Sequence, residues 1–440
     1  MKKKYLTPAL TLSLILCSLN TVASENTDSI IKDLGADFRY RIIKEDARKL
    51  NSSEDTNDRL WQRFRLRTWA SVRLIPNADL NIRLVTEPRY YSSRSSGDKW
   101  VRDEILVDNL NLTLNNLFDD RLDLVFGRQQ IQLADNWLVG EGTPLDGTRT
   151  AYFDALRTTW NFEEWDTIVD FMWIQNRRNS SAYIPPIHDV DFDMVEQDEQ
   201  GAIFWLSHKA REHLFLESYF IYKKDTNPAF DENNKQVGVK GETYTIALRS
   251  HGKATDTLSF NAEIAPQFGH KNGKSISAFA ANNWLQKQVS ASQNASIRLG
   301  YEFLSGDRDI DRHFDKLWGR EGIWSDLYTG GVDGFDGREL DSSNLHRPYL
   351  LVQAKPLEPL SLSAEYSLLF ADKKVDLPNA DRVDHDSSFR GHYFKAALEH
   401  TLNKHLKHYV TVQAMVPGNY YSSTRQDTAS WYRYAVELKW

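Results

Sequence analysis

The chain has 440 residues, a formal charge of −7 and one cysteine, Cys17. Its mean hydropathy is negative, and no run approaches the roughly 20 apolar residues of a membrane-spanning helix, which excludes a helical membrane protein. The acidic balance gives nucleic acid no electrostatic footing as a partner, and a lone cysteine allows no internal disulfide.

The N-terminus reads as an export signal. Lys2, Lys3 and Lys4 precede a short apolar stretch, Tyr5 to Leu19, and Val22-Ala23-Ser24 supplies small residues for cleavage. Bulky Leu16 before Cys17 argues against a lipid-attachment site. Residues 1–24 are therefore expected to be removed, which takes away three lysines and no acid and leaves a charge of −10. The remainder, 25–440, shows no repeat, linker or low-complexity tract and is expected to form one domain.

From residue 36 onward the apolar residues alternate. Ala36, Phe38, Tyr40 and Ile42 oppose Asp37, Arg39 and Arg41. Phe64, Leu66, Thr68, Ala70, Val72 and Leu74 oppose Arg63, Arg65, Arg67, Trp69, Ser71 and Arg73. Pro76-Asn77-Ala78-Asp79 makes a turn, and Leu80, Ile82 and Leu84 then oppose Asn81 and Arg83. Period two is the mark of strands with one apolar face. Further apolar faces are Leu110-Leu112-Leu114, Leu122-Leu124-Phe126, Leu156-Thr158-Trp160-Phe162 and Val169-Phe171-Trp173. Ala202-Phe204-Leu206, Leu214-Leu216-Phe220-Tyr222, Tyr244-Ile246-Leu248 and Leu258-Phe260-Ala262-Ile264 follow. Next come Ile276-Ala278-Ala280, Ile297-Leu299-Tyr301-Phe303, Leu350-Val352-Ala354 and Leu360-Leu362-Ala364-Tyr366. Phe394-Ala396-Leu398 and Val410-Val412-Ala414 lead to the C-terminal run.

That run, Trp431 to Trp440, sets Tyr432, Tyr434, Val436, Leu438 and Trp440 against Arg433, Glu437 and Lys439. In lipid such a strand must close against the first one, because an unpaired edge there has no water to satisfy it. A final strand ending in an aromatic also resembles the signal read by the outer-membrane barrel-assembly machinery. The pattern predicts about eighteen strands. Connections near 76, 117, 164, 210, 253, 290, 357 and 403 are short. Those near 51, 97, 140, 188, 232, 271, 326, 380 and 423 are mostly longer and polar. The expected fold is all-β: a membrane-spanning antiparallel barrel with short periplasmic turns and long extracellular loops, embedded in outer-membrane lipid.

If the apolar faces meet lipid, the arginines line the lumen. Arg39 and Arg41, then Arg63, Arg65, Arg67 and Arg73, then Arg83 and Arg89 form a ladder on three adjacent strands. Arginine stays charged and presents a fork suited to carboxylates, so Arg65, Arg67 and Arg83 are candidate selectivity residues for an anion. The competing expectation pairs them with lumen acids such as Asp37, Glu87, Glu263, Glu302, Glu365 and Glu399.

The segment Gly127-Arg128-Gln129, Asp135-Asn136-Trp137, Asp146-Gly147-Thr148-Arg149-Thr150 and Phe153-Asp154-Ala155-Leu156-Arg157 resembles the alginate export family of outer-membrane porins. Tyr301 to Asp307, followed by Phe314-Asp315-Lys316-Leu317-Trp318-Gly319, resembles the same family's second segment. The resemblance implies an eighteen-stranded channel, a monomer, passing alginate or its oligosaccharides through an arginine-rich constriction. It also implies that Arg128, Arg149 and Arg157 contact uronate carboxylates, with Asp154 orienting them. The long stretches 176–200 and 306–346 would fold over or into the mouth.

Other signals weaken on inspection. Gly273-Lys274-Ser275 lacks the first glycine of a phosphate loop, where Phe268 stands. His400, His405 and His408 have no acid or cysteine at ligand spacing. Asp307, Asp309 and Asp311 alternate as calcium-loop acids do but lack the glycine and final glutamate, leaving only adventitious external Ca²⁺; no cofactor is expected. No nucleophile, base and orienter can be assigned, so a barrel lipase or protease is disfavoured. The remaining rivals are a porin for another cargo and a plugged adhesin.

Overall fold

The computed structural model describes residues 30–52, 58–93, 99–101, 105–140, 152–179, 181–187, 195, 197–230, 236–319, 324–332, 343–375 and 387–440. The expected signal peptide lies outside the described residues.

Eighteen long antiparallel strands form one closed sheet. In chain order they are β1 (Ile31–Asp46), β2 (Arg59–Ile75), β3 (Ala78–Thr86), β4 (Leu106–Asn116), β5 (Leu122–Gln129) and β6 (Phe153–Phe162). Next come β7 (Thr167–Asn176), β8 (Glu199–Arg211), β9 (Leu214–Asp225), β10 (Gly241–Thr255), β11 (Leu258–Lys271) and β12 (Lys274–Ser290). The last six are β13 (Ala295–Leu304), β14 (Leu345–Leu357), β15 (Leu360–Phe370), β16 (Phe389–Asn403), β17 (Leu406–Pro417) and β18 (Ala429–Lys439). Each strand pairs with its chain neighbours, and β18 returns to β1 in a register running from Asp37↔Lys439 to Asp46↔Ser430. The terminal strand thus does what its amphipathic pattern requires: it leaves the barrel without an edge.

Outward positions carry the apolar alternation. Leu216, Phe220, Ile246, Leu248, Ile264, Leu299, Val352 and Tyr434 are exposed, while their chain neighbours point inward. Aromatic rings gather at both ends of this band. Phe118, Trp160, Phe162 and Trp165 stack in succession at the short-turn end. At the other end Tyr244 stacks on Phe268 and meets Tyr222 in a tilted contact. Two aromatic girdles bounding an apolar band are the surface of a barrel fitted to a bilayer.

Part of the interior is filled by chain. Residues 130–140 and 305–319 enter the lumen and join through a parallel bridge, Val139↔Trp318, with Trp318 N donating to Leu138 O at 3.1 Å. Ile131, Leu133, Trp137, Leu138, Val139, Phe314, Leu317 and Trp318 are buried there. The strand wall facing them is correspondingly apolar on its inner side: Met172 and Ile174, Ile203, Ile221, Ala247, Ala265, then Ile276, Ala278 and Ala280. This corrects the sequence expectation for β12. Ile276-Ala278-Ala280 faces inward against the inserted chain, and its outward face, with Ser275, Ser277 and Phe279, carries too few apolar residues at that end to stand out.

A second correction concerns the connection near 271. It is the two-residue turn Asn272-Gly273, with both residues at positive φ (52° and 75°) and Lys271 paired to Lys274. Asn-Gly is the pair that this hairpin geometry favours. The inserted stretch 305–319 matches the expectation that 306–346 folds into the mouth, as do the described residues 324–332, where Trp324, Leu327 and Tyr328 are buried.

Candidate functional site: a braced arginine wall

The arginine ladder lies on the inner face of β1, β2 and β3, except that Arg89, expected on the third strand, stands on the short strand Arg89–Tyr91 that follows it and pairs with β2. The ladder's carboxylates are shared. Glu87 meets Arg39 at 3.5 Å and also pairs with Arg63, and Asp37 meets Arg65 at 3.3 Å and Arg67 Nε at 2.7 Å. Four guanidiniums therefore share two carboxylates. Of the acids expected to pair with the ladder, Asp37 and Glu87 do so, whereas Glu263, Glu302 and Glu365 pair with Arg249 and Arg347 on other strands and Glu399 lies 3.8 Å from Lys407.

The sequence-derived candidates separate into two kinds. Arg65 and Arg128 are posts. Each side chain is almost wholly buried, at 2% and 1% exposure. Arg128 is held bidentately by Asp154 at 2.9 and 3.2 Å, donates to Val107 O at 2.9 Å and lies 3.7 Å from the Tyr152 ring centre. With every direction occupied, it fixes β5 to β6 rather than meeting solvent. Asp154 is the residue that orients it.

Arg67, Arg83 and Arg157 instead line one cavity of about 530 Å³. Each is braced from behind by a carboxylate. Arg83 is bidentate to Asp108, both contacts at 2.8 Å, and Arg157 Nε donates to Asp170 at 2.9 Å. A guanidinium has five donors in a planar fork, and the brace fixes the orientation of that fork at the cavity wall. Arg149 lies outside the described residues.

Amides and one indole that the sequence did not single out complete the cavity. Asn81, Asn109, Asn111, Gln129 and Trp69 line it. Asn81 Nδ2 donates to Asn111 Oδ1 at 3.0 Å, and Trp69 Nε1 donates to Asp33 at 2.8 Å. Their signal was present as parity, since Trp69 shares the face of Arg67 and Asn81 that of Arg83. Hydrogen-bonding amides beside charged forks suit a polyhydroxylated, acidic cargo better than a bare inorganic anion.

Two sequence candidates for ions resolve differently. Between Asp309 and Asp311 sits the Lys274 ammonium, at 2.7 and 3.1 Å, in the place a cation would take. Burial acts to raise the Asp309 carboxyl, but the Lys274 hydrogen bond and the Asp311 backbone N–H outweigh it, so its pKa lies below the usual value. A depressed carboxyl pKa stabilises the folded arrangement above the ordinary value and loses that effect as pH falls through the folded one. We therefore expect the Lys274 clamp to be unaffected by titration from neutrality to about pH 5 and to release only below about 4. Single-channel recordings across that range check it: Lys274→Met should abolish any acid-dependent gating step of the wild type. His400 and His408 bond each other at 3.0 Å, and His405 meets Lys439 O at 2.8 Å. Among the described residues no cluster of three or more His, Cys, Asp or Glu could hold a metal.

Comparison with known proteins agrees with the geometry. The family model described as Alginate export matches residues 31–435. Among solved structures, the barrel is similar to Pseudomonas aeruginosa OccK11 (OpdR), with a TM-score of 0.55 at 12% identity, over 92% of this chain and 95% of that one. Acinetobacter baumannii OccAB2 gives 0.56 at 11% identity over 94% and 99%, and Pseudomonas aeruginosa OccK8 (OprE) 0.56 at 13% over 94% and 99%. At such identities these likenesses speak for the fold alone. The search of curated proteins returned no match. A closed eighteen-stranded barrel with this family match is a channel of the bacterial outer membrane, porin-like rather than enzymatic in family and fold. The chain belongs to the alginate export family.

Proposed function

We propose that the channel passes an anionic polysaccharide or its oligosaccharides, alginate or a related uronate polymer, through the cavity lined by Arg67, Arg83 and Arg157. The observation that carries this reading is the bracing. Three guanidiniums line one cavity, and each is held in place by a carboxylate. A uronate residue would exchange water for these donors and for the neighbouring amides, with no single contact strong enough to stop the chain from sliding. The family match supports the cargo class. Monomeric action and assembly through the C-terminal strand belong to the same proposal.

Arg67 and Arg157 should act on permeation more than on stability, because Asp37 keeps Arg65 and Asp170 keeps Thr159 when they are removed, whereas Arg83→Gln should also destabilise the barrel by leaving Asp108 buried. Replacing all three by Gln is expected to move the reversal potential under a salt gradient towards cation preference and to slow capture of oligouronates severalfold. An unchanged reversal potential and an unchanged capture rate would remove this wall from the selectivity filter.

A further inference from the structure

The wall opposite the ladder, built by β12 to β15, carries a second cavity of about 340 Å³. Its floor is one rung of the sheet. Register places Trp284 beside Gly300 and Gly300 beside Tyr349, all on the inner face. A Cβ on Gly300 would lie 2.1 Å from Tyr349 Cζ, so the phenol lies flat across the strand where any side chain would stand it up. One rung nearer the short turns, the Arg298 guanidinium stacks 3.9 Å from the Trp284 ring centre and donates Nε to Gln286 Oε1 at 2.9 Å. One rung the other way, Arg347 is neutralised by Glu302 at 2.9 Å and Glu365 at 2.8 Å.

Arg298 and Lys316 differ from Arg347. Among the described residues neither has a carboxylate within the 4.0 Å of an ion pair, although both line the cavity and Lys316 is buried on the inserted stretch 305–319. Arg298 is held flat by an indole and an amide, neither of which cancels its charge. A buried ammonium and a braced guanidinium facing one small cavity are costly unless an anion visits. The nearby acids are occupied elsewhere: Asp135 with Arg249 at 3.3 Å, and Glu302 and Glu365 with Arg347.

We propose that this cavity is a second saccharide subsite, in which one uronate residue packs beside Trp284 and Tyr349, whose ring faces carry the Arg298 and Arg347 guanidiniums, while its carboxylate is held by Arg298 and Lys316. The proposal rests on the uronate reading of the channel and assigns its two walls different tasks. The shared-carboxylate ladder supplies long-range attraction and so governs capture. Packing and close ion pairing act only on contact and so govern release. The two cavities flank the inserted stretch 130–140, which gives Gln130 to the first and Asp135 and Trp137 to the second. A chain long enough to reach both is held at two points, so its dwell time rises with length more steeply than that of a chain held at one.

The test is current block by oligouronates of defined length in planar bilayers, on the full-length protein and on Trp284→Leu, Arg298→Gln and Lys316→Gln. Open-channel conductance without sugar reports that each barrel is intact. Block dwell times are expected to fall about tenfold in the Trp284 and Arg298 variants, in keeping with loss of a desolvated cation–π or charge-assisted contact. Capture rates should change little, and the length dependence should flatten. Dwell times unaltered in all three variants would overturn the subsite and leave the uronate channel standing. A wild-type channel that oligouronates do not block at all would remove both.

Discussion

Trp318→Ala is expected to release the chain inside the barrel while leaving the barrel itself intact. The Trp318 side chain is fully buried. Its ring edge meets Phe153 at 5.9 Å between centroids, its Nε1 donates to Glu199 at 3.2 Å, and it fills the space over Gly201, where a Cβ would lie 2.3 Å from the indole. Truncating a buried tryptophan costs about 3–5 kcal/mol. The β strands do not depend on this contact, because their hydrogen bonds run between neighbours around a closed sheet. The cost falls on the inserted stretches 130–140 and 305–319, which the bridge at Val139 and Trp318 joins to each other. Local opening there should become roughly a hundred- to a few-thousand-fold more frequent. Hydrogen exchange at the amides of Trp318 and Gly319 measures it, and single-channel conductance should rise as the lumen clears. Exchange unchanged at those amides would mean that the stretch is held from elsewhere.

Glu87→Ala should be the most destabilising change on the arginine wall. The carboxylate is buried, as are both guanidiniums it neutralises, Arg39 and Arg63. Removing one member of a buried charge cluster leaves the others desolvated and repelling each other, at a typical cost of about 3–5 kcal/mol. Denaturant unfolding in detergent micelles reads the loss. Charge argues for a second effect of opposite value to the cell: the wall gains one net positive charge, so anion preference should increase in whatever fraction folds. A loss of stability without a shift in reversal potential would place Glu87 outside the field felt by permeating ions. Glu87→Gln keeps the shape and separates the charge effect from the cavity.

Much of this molecule is legible as parity. Tyr432, Tyr434, Val436 and Leu438 against Arg433 and Glu437 announced a lipid-facing strand, and the pairing with β1 followed from the impossibility of an open edge in lipid. Arg67 and Arg83 were placed in the lumen by the same rule. Parity fails where the inward face is the more apolar one. Ile276, Ala278 and Ala280 face inserted chain, and nothing in the local sequence distinguishes a wall that meets protein from one that meets lipid. It is also silent about depth: Arg65 and Arg67 share one face two residues apart, yet one is a buried post and the other borders the cavity. That difference is one of position along β2 and not of partner, because both arginines meet the same Asp37 across the β1–β2 pairing. Arg298 was readable as an inward residue between Ile297 and Leu299. Its lack of an acid partner was not, because partnership depends on three strands and an inserted stretch at once.

The channel reading is tested most directly by single-channel conductance of the refolded protein, titrated with oligomannuronate and oligoguluronate. Brief, concentration-dependent block by these acids, with little from neutral oligosaccharides of equal length, is the predicted result. Conductance that uronates and neutral sugars reduce alike, or that neither reduces, would contradict an anionic polysaccharide as the cargo.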